Sequence, residues 1–245
     1  MKRVISLLLI AILALTGCGS TGSVKESQAE TSGQTTAEQT TSEDTALEED
    51  ASSKDDNDAS AASQDSADSD ASSDILVIYF SRTGEQYTVG VIEKGNTAIV
   101  AEMIAEQTGA NLFEVLPEDD HYPMTYDALT DVAKQEQAEK ARPAYAGELP
   151  DLSAYDTIFV GAPVWWGDWP MIMYTVFESN DFSGKTLVPF STHEGSGLSG
   201  FDKKLENACP GATVEKGLAV RGNDAQNAQE KVRDSVSDWL SELGF

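Results

Sequence analysis

Three features of the chain predict an α/β fold: a parallel sheet covered by helices on both faces. Residues 75–80 are an unbroken run of branched and aromatic side chains, the pattern of a strand with no solvent face, and 157–161 are another run of central-strand character. Between such runs lie stretches whose apolar residues recur at helical spacing. The two patterns alternate to the end of the chain, which implies right-handed crossovers between parallel strands.

Residues 75–80 form the first strand. Bulk gives way abruptly to Ser81-Arg82-Thr83-Gly84, and a short excursion follows from Glu85 to Gly95. Asn96 and Thr97 open a helix in which Ile99, Val100, Met103 and Ile104 cover one face; it ends near Thr108 and Gly109. Residues 111–115 read as the second strand and 117–123 as a turn-rich passage. Residues 126–141 have helical spacing but a strongly polar face, a solvated surface helix that Arg142 and Pro143 stop.

The third strand, at 157–161, leads to a helix over 171–178 begun by Pro170 at a favourable first-turn position. In the fourth strand, 185–190, Pro189 marks a distorted stretch or one near an end. A helix over 198–208, a fifth strand over 213–220 and an amphipathic helix over 225–243, carrying Val232, Val236, Trp239 and Leu240, complete the pattern. No internal repeat is evident.

The first 74 residues are of another kind. Met1-Lys2-Arg3 is a basic start, residues 4–15 are an apolar run too short to span a bilayer, and Leu15-Thr16-Gly17-Cys18 resembles a lipobox. The expectation is a signal peptide over 1–17 and lipidation of Cys18, which places the protein outside the cytoplasm and holds it to the cell membrane. Residues 18–74 are rich in Ser, Thr, Ala, Gln, Asp and Glu and lack aromatics. Such a segment buries too little apolar surface to offset its ordering entropy, so it reads as a disordered tether. A neutral coil of that length averages ~40 Å end to end, and like charge extends it. The folded domain then spans 75–245.

The net charge is −26, about half of it in the tether. An acidic head argues against nucleic acid and against docking on anionic lipid, leaving the lipid anchor as the membrane contact. Besides Cys18 the only cysteine is Cys209, and there are two histidines, so neither a disulfide framework nor a transition-metal site is expected. Cys209 reads as a small buried hydrophobe. No G-x-S-x-G, H-E-x-x-H or Walker loop is present, nor a dinucleotide fingerprint after the first strand.

In an open parallel sheet, ligands bind beyond the carboxyl ends of the strands, where the strand order reverses. Three loops on that edge are too distinctive to be connectors. The first joins Ser81, Thr83, Asn96 and Thr97 to a helix N-terminus, an anion cradle of hydroxyls, backbone amides and dipole. Read more plainly, Asn96 and Thr97 only cap the helix. The second, Pro163-Val164-Trp165-Trp166-Gly167-Asp168-Trp169, sets three indoles within five residues. Not all can face one core, so at least one, Trp165 or Trp166 ahead of Trp169, is expected at the rim, where indole stacks on a flat ring. The third, residues 191–200, is polar and glycine-rich; Thr192, His193, Gly195 and Gly197 stand where backbone can approach a planar ligand. His193 either bonds the ligand, donates a proton, or holds its loop through the backbone. His121 has no chemical partner nearby in sequence, and Tyr79 and Tyr122 read as packing residues.

Ser81-Arg82-Thr83-Gly84 completed by Asn96-Thr97 resembles the phosphate loop of flavodoxins, with about eleven residues inserted between its halves. The segments 162–167 and 191–197 fall where that family places its other flavin-binding loops. The resemblance covers residue 75 to the C-terminus and implies a five-stranded sheet of order 2-1-3-4-5 binding FMN, with Arg82 either adding a charge contact or pointing outward. It also implies electron transfer with a redox partner protein or a small-molecule acceptor. An FMN-dependent NAD(P)H or quinone oxidoreductase, and a module that has lost flavin, are the other readings it leaves.

Overall fold

The structure, a computed structural model, describes residues 73–245. The signal peptide, Cys18 and the tether expected from the sequence lie outside the described residues.

Strand β1 (Ile75–Tyr79) pairs in parallel with β4 (Asn111–Glu114) on one side and β5 (Thr157–Pro163) on the other; β5 pairs with β6 (Thr186–His193). The fifth position holds two short strands, β7 (Thr213–Val214) and β8 (Leu218–Arg221), both paired to β6. By position the order is therefore 2-1-3-4-5. Successive side chains of a strand point to opposite faces. Thus Leu76, Ile78 and Phe80 pack with helices α3 (Met171–Ser179) and α4 (Phe201–Ala208), while Val77 and Tyr79 pack with α1 (Asn96–Thr108) and α6 (Gln229–Leu243). This is the three-layer sandwich of flavodoxin-like folds.

The fifth strand departs from the single run over 213–220, and Pro189 supplies the reason. The Glu215 amide donates to the Leu187 carbonyl, so this side of β6 faces β7. Residues two apart on a strand face the same side, so the N–H that proline lacks is missing there. The register slips by one residue across the gap, from Leu187 opposite Val214 to Phe190 opposite Leu218. Gly217 sits in that gap, where a Cβ would come within 2.7 Å of the Pro189 carbonyl oxygen.

Two further elements differ from the sequence reading. The closing helix is broken into α5 (Gly222–Asn227) and α6 at Ala228. The excursion after Gly84 is an antiparallel hairpin of β2 (Gly84–Gln86) and β3 (Gly90–Ile92), whose tight turn puts Thr88 at φ 59°. Helix α2 (Tyr126–Glu139) is solvated as expected, but it buries Leu129, Ala133 and the carboxylate of Glu136.

Candidate functional site

The loops after β1, β5 and β6 meet at one edge, because β1 has its sequence neighbour β4 on one side and β5 on the other. The hairpin does not push the halves of the hydroxyl turn apart. Gly95 returns so close to the turn that an added Cβ would collide with Ser81 Oγ and lie 2.7 Å from the Arg82 carbonyl oxygen. Ser81 Oγ accepts from the Ala98 amide at 3.0 Å and the Gly95 carbonyl accepts from Ile99, so Ser81 performs the capping. Asn96 and Thr97 are the first two helical residues; Gly95 occupies the cap position and offers no side chain. Among the described residues nothing accepts from the Asn96 and Thr97 amides, and no carboxylate lies in the first turn of α1. That leaves two aligned donors at the positive end of a 13-residue helix.

Arg82 neither points outward nor spends its whole guanidinium on a neighbour. Nη1 pairs with Asp120 at 2.9 Å and Nη2 donates to the Tyr122 carbonyl at 2.8 Å, clamping the passage before α2 onto the turn. Its Nε–H is buried and unpartnered. Thr83 is exposed beside it, and Gly84, at φ 85°, packs on the Met124 backbone, where a Cβ would come within 2.7 Å of the carbonyl oxygen.

The second loop is a two-residue type I′ turn. Trp165 and Asp168 exchange backbone hydrogen bonds at 3.0 and 2.9 Å, and the central residues Trp166 and Gly167 both have positive φ, 50° and 73°. The turn separates the indoles. Trp165 stands edge-on to Phe80 and Tyr122 and faces the cleft. Trp166, 51% exposed, lies back on α2, where Nε1 donates to the Thr130 carbonyl at 2.8 Å and Lys134 sits over the ring. Trp169 is wholly buried, stacked on Phe201.

The third loop is stitched to the others. Val164 donates to the Thr192 carbonyl, Thr192 and Thr97 share a hydroxyl bond of 2.7 Å, and Ser191 Oγ donates to the Gly197 carbonyl. His193 Nδ1 accepts from the Gly195 amide at 2.9 Å, so the loop-holding role is present and the ring proton resides on Nε2. Desolvation holds the His193 pKa below its ordinary value, against the pull of Glu194. Glu194 Oε1 accepts from the Asn223 amide at the start of α5, beside Asn96 and Gly222.

These loops enclose a cleft of about 370 Å³. Of the residues singled out from sequence, Asn96, Pro163, Val164, Trp165, Thr192, His193 and Gly195 line it. Ser81, Arg82, Thr83, Gly84 and Thr97 belong to the turn at its end, while Trp166, Gly167 and Gly197 do not line it. The cleft also uses Gln86 and Tyr87 from the hairpin and Tyr126 from α2, which the sequence did not single out. Their signal was the pair of tyrosines in otherwise polar segments; the rings lie 5.4 Å apart.

Fold and site together define an α/β protein with a helix N-terminus of unpartnered donors at one end of an aromatic cleft. A family model described as Flavodoxin matches residues 74–242, and the chain belongs to the flavodoxin family. It is similar to a solved flavoprotein candidate from Bacteroides uniformis ATCC 8492, with 31% identity over 68% of this chain and 97% of that one at a TM-score of 0.55. A second, from Bacteroides eggerthii DSM 20697, is 25% identical over 70% of this chain and 98% of that one, at a TM-score of 0.56. A flavoprotein from Lactobacillus acidophilus NCFM, solved in complex with FMN, is 20% identical over 64% of this chain and 97% of that one, at a TM-score of 0.47. No curated protein matches.

Proposed function

We propose that the cleft holds FMN non-covalently and that the protein is an electron carrier at the outer face of the cell membrane. The observation that carries the flavin reading is the set of unpartnered donors in one turn: the Asn96 and Thr97 amides and the buried Nε–H of Arg82. Buried donors without acceptors are destabilising, and a phosphate at a helix N-terminus satisfies several at once. Ser81 acts indirectly, by holding the start of α1 in place. Trp165, Val164 and the glycine-rich loop bound the space for a flat ring, and His193 presents a neutral Nε2–H donor. Bound FMN supplies one- and two-electron redox chemistry; the protein sets its position and surroundings.

Titration of the purified chain with FMN, followed by flavin fluorescence, tests this. One equivalent is expected to bind and give a yellow protein. Arg82→Leu, which removes the buried Nε–H, and Asn96→Pro, which removes the first backbone N–H of α1 at a position where proline is tolerated, are each expected to weaken binding by roughly tenfold or more, as for loss of a charge-assisted or buried hydrogen bond. A chain that stays colourless at saturating FMN overturns the reading.

The membrane reading rests on the lipobox-like Leu15-Thr16-Gly17-Cys18 and has its own test. Expressed in a bacterium supplied with radiolabelled palmitate, the chain is expected to carry label and sediment with membranes, and Cys18→Ser to lose both. Unlabelled wild-type protein rejects the anchor and leaves the flavin reading untouched.

A further inference from the structure

A second space adjoins the cleft. It measures about 180 Å³ and shares Gln86, Tyr126, Val164 and Trp165 with it. Leu129, Thr130 and Ala133 of α2 line it on one element, and Trp165 and Trp166 of the turn after β5 on another. No charged side chain lines it.

One lining residue is held by unusual means. Trp166 adopts φ 50°, a conformation rare for a bulky side chain. Three contacts fix it there: the indole N–H to the Thr130 carbonyl, the Gln137 amide to the Trp166 carbonyl, and the Lys134 ammonium over the ring. A strained residue persists only where its surroundings over-determine it, and such sites concentrate where ligands are held.

We infer that this slot is a ligand site for an uncharged molecule with a single aromatic ring. Size limits the ring count, since an apolar cavity of about 150 Å³ accepts benzene. The lining decides the charge: indole, phenol and aliphatic surfaces favour an apolar ring, and nothing in the slot compensates an ion. Gln86 and Tyr126 at the boundary with the larger cleft supply polar atoms for one substituent. The ligand therefore lies beside the flavin ring space, a placement that rests on the FMN reading, whereas the slot itself does not.

4-Fluorophenol, followed by fluorine NMR on the whole chain, is the probe. Saturable binding with a Kd of about 1 mM is expected, as for a ligand of eight heavy atoms. Ala133→Leu, which adds bulk to the lining, is expected to weaken the probe roughly tenfold while FMN affinity stays within about twofold. Binding of the probe is expected to persist at saturating FMN. Absence of saturable binding overturns the inference, and so does competitive displacement by FMN, which would make the slot part of the flavin cleft. If the chain binds no FMN, the flavin reading fails alone, and the probe titration still judges the slot.

Discussion

The two histidines are shifted in opposite directions, and the reason is local. Both ring nitrogens of His121 face acceptors, the Asp119 carbonyl at 2.9 Å and Glu136 Oε1 at 2.8 Å, an arrangement that favours the protonated ring. The Glu136 bond raises its pKa. His193 accepts at Nδ1, and desolvation lowers its pKa. Linkage gives the signs. The His121 contribution is present below the ordinary value of 6.5 and fades as pH rises through its raised folded value. The His193 contribution is present above 6.5 and fades as pH falls towards its lowered folded value. In thermal melts across pH, His121→Gln is expected to flatten the slope just above 6.5, and His193→Gln the slope just below it. Sequence showed two histidines but not this contrast, because Glu136 lies on the next helix and reaches His121 only once α2 has docked. Trp166 offers a second test at this scale. Asn tolerates its backbone conformation and a β-branched residue does not, so Trp166→Val is expected to be about 1–2 kcal/mol less stable than Trp166→Asn in urea unfolding.

Among the elements, those with one dominant cause were readable and those with a partner's cause were not. The run 75–80 and the helix opened by Asn96 stand where the pattern put them, since burial on both faces leaves one solution. The fifth strand is split by a residue on its neighbour, Pro189, and no pattern within 213–220 carries that information. Likewise Gly161 looks like an ordinary strand residue until its partner is known: Phe190 of β6 lays its ring on the bare backbone, where a Cβ would collide with it. Gly161→Ala is expected to destabilise by about 2 kcal/mol in chemical unfolding, and Phe190→Leu to recover part of that loss in the double variant. Independent, additive effects would show that the ring is free to move aside. In the site, the three loops were legible from composition. The Arg82–Asp120 and Thr97–Thr192 pairings were not, because they join residues 38 and 95 apart.

On the scale of the molecule, charge is the property that acts everywhere. The chain carries 42 acidic and 16 basic residues, and about half of the excess belongs to the folded part. An acidic environment disfavours a reduced flavin that gains negative charge, so the midpoint potential of bound FMN is expected to fall below that of free FMN. Added salt is expected to narrow the gap by screening. Spectroelectrochemical titration at low and high salt measures both, and a potential well above that of free FMN contradicts the argument. The order of the sheet came from the family pattern, since periodicity within strands contains no information on which strand lies next to which.

The hairpin between Gly84 and Gly95 leaves and re-enters the turn at nearly one place, so its length is decoupled from the geometry it interrupts. What varies with such a segment is the roof over the binding edge, here furnished by Gln86 and Tyr87, while the grip on an anion stays fixed beneath it. A scaffold built this way can change its clientele by exchanging one surface ribbon, and a search for the uninterrupted turn in other genomes would pass over every member that has done so.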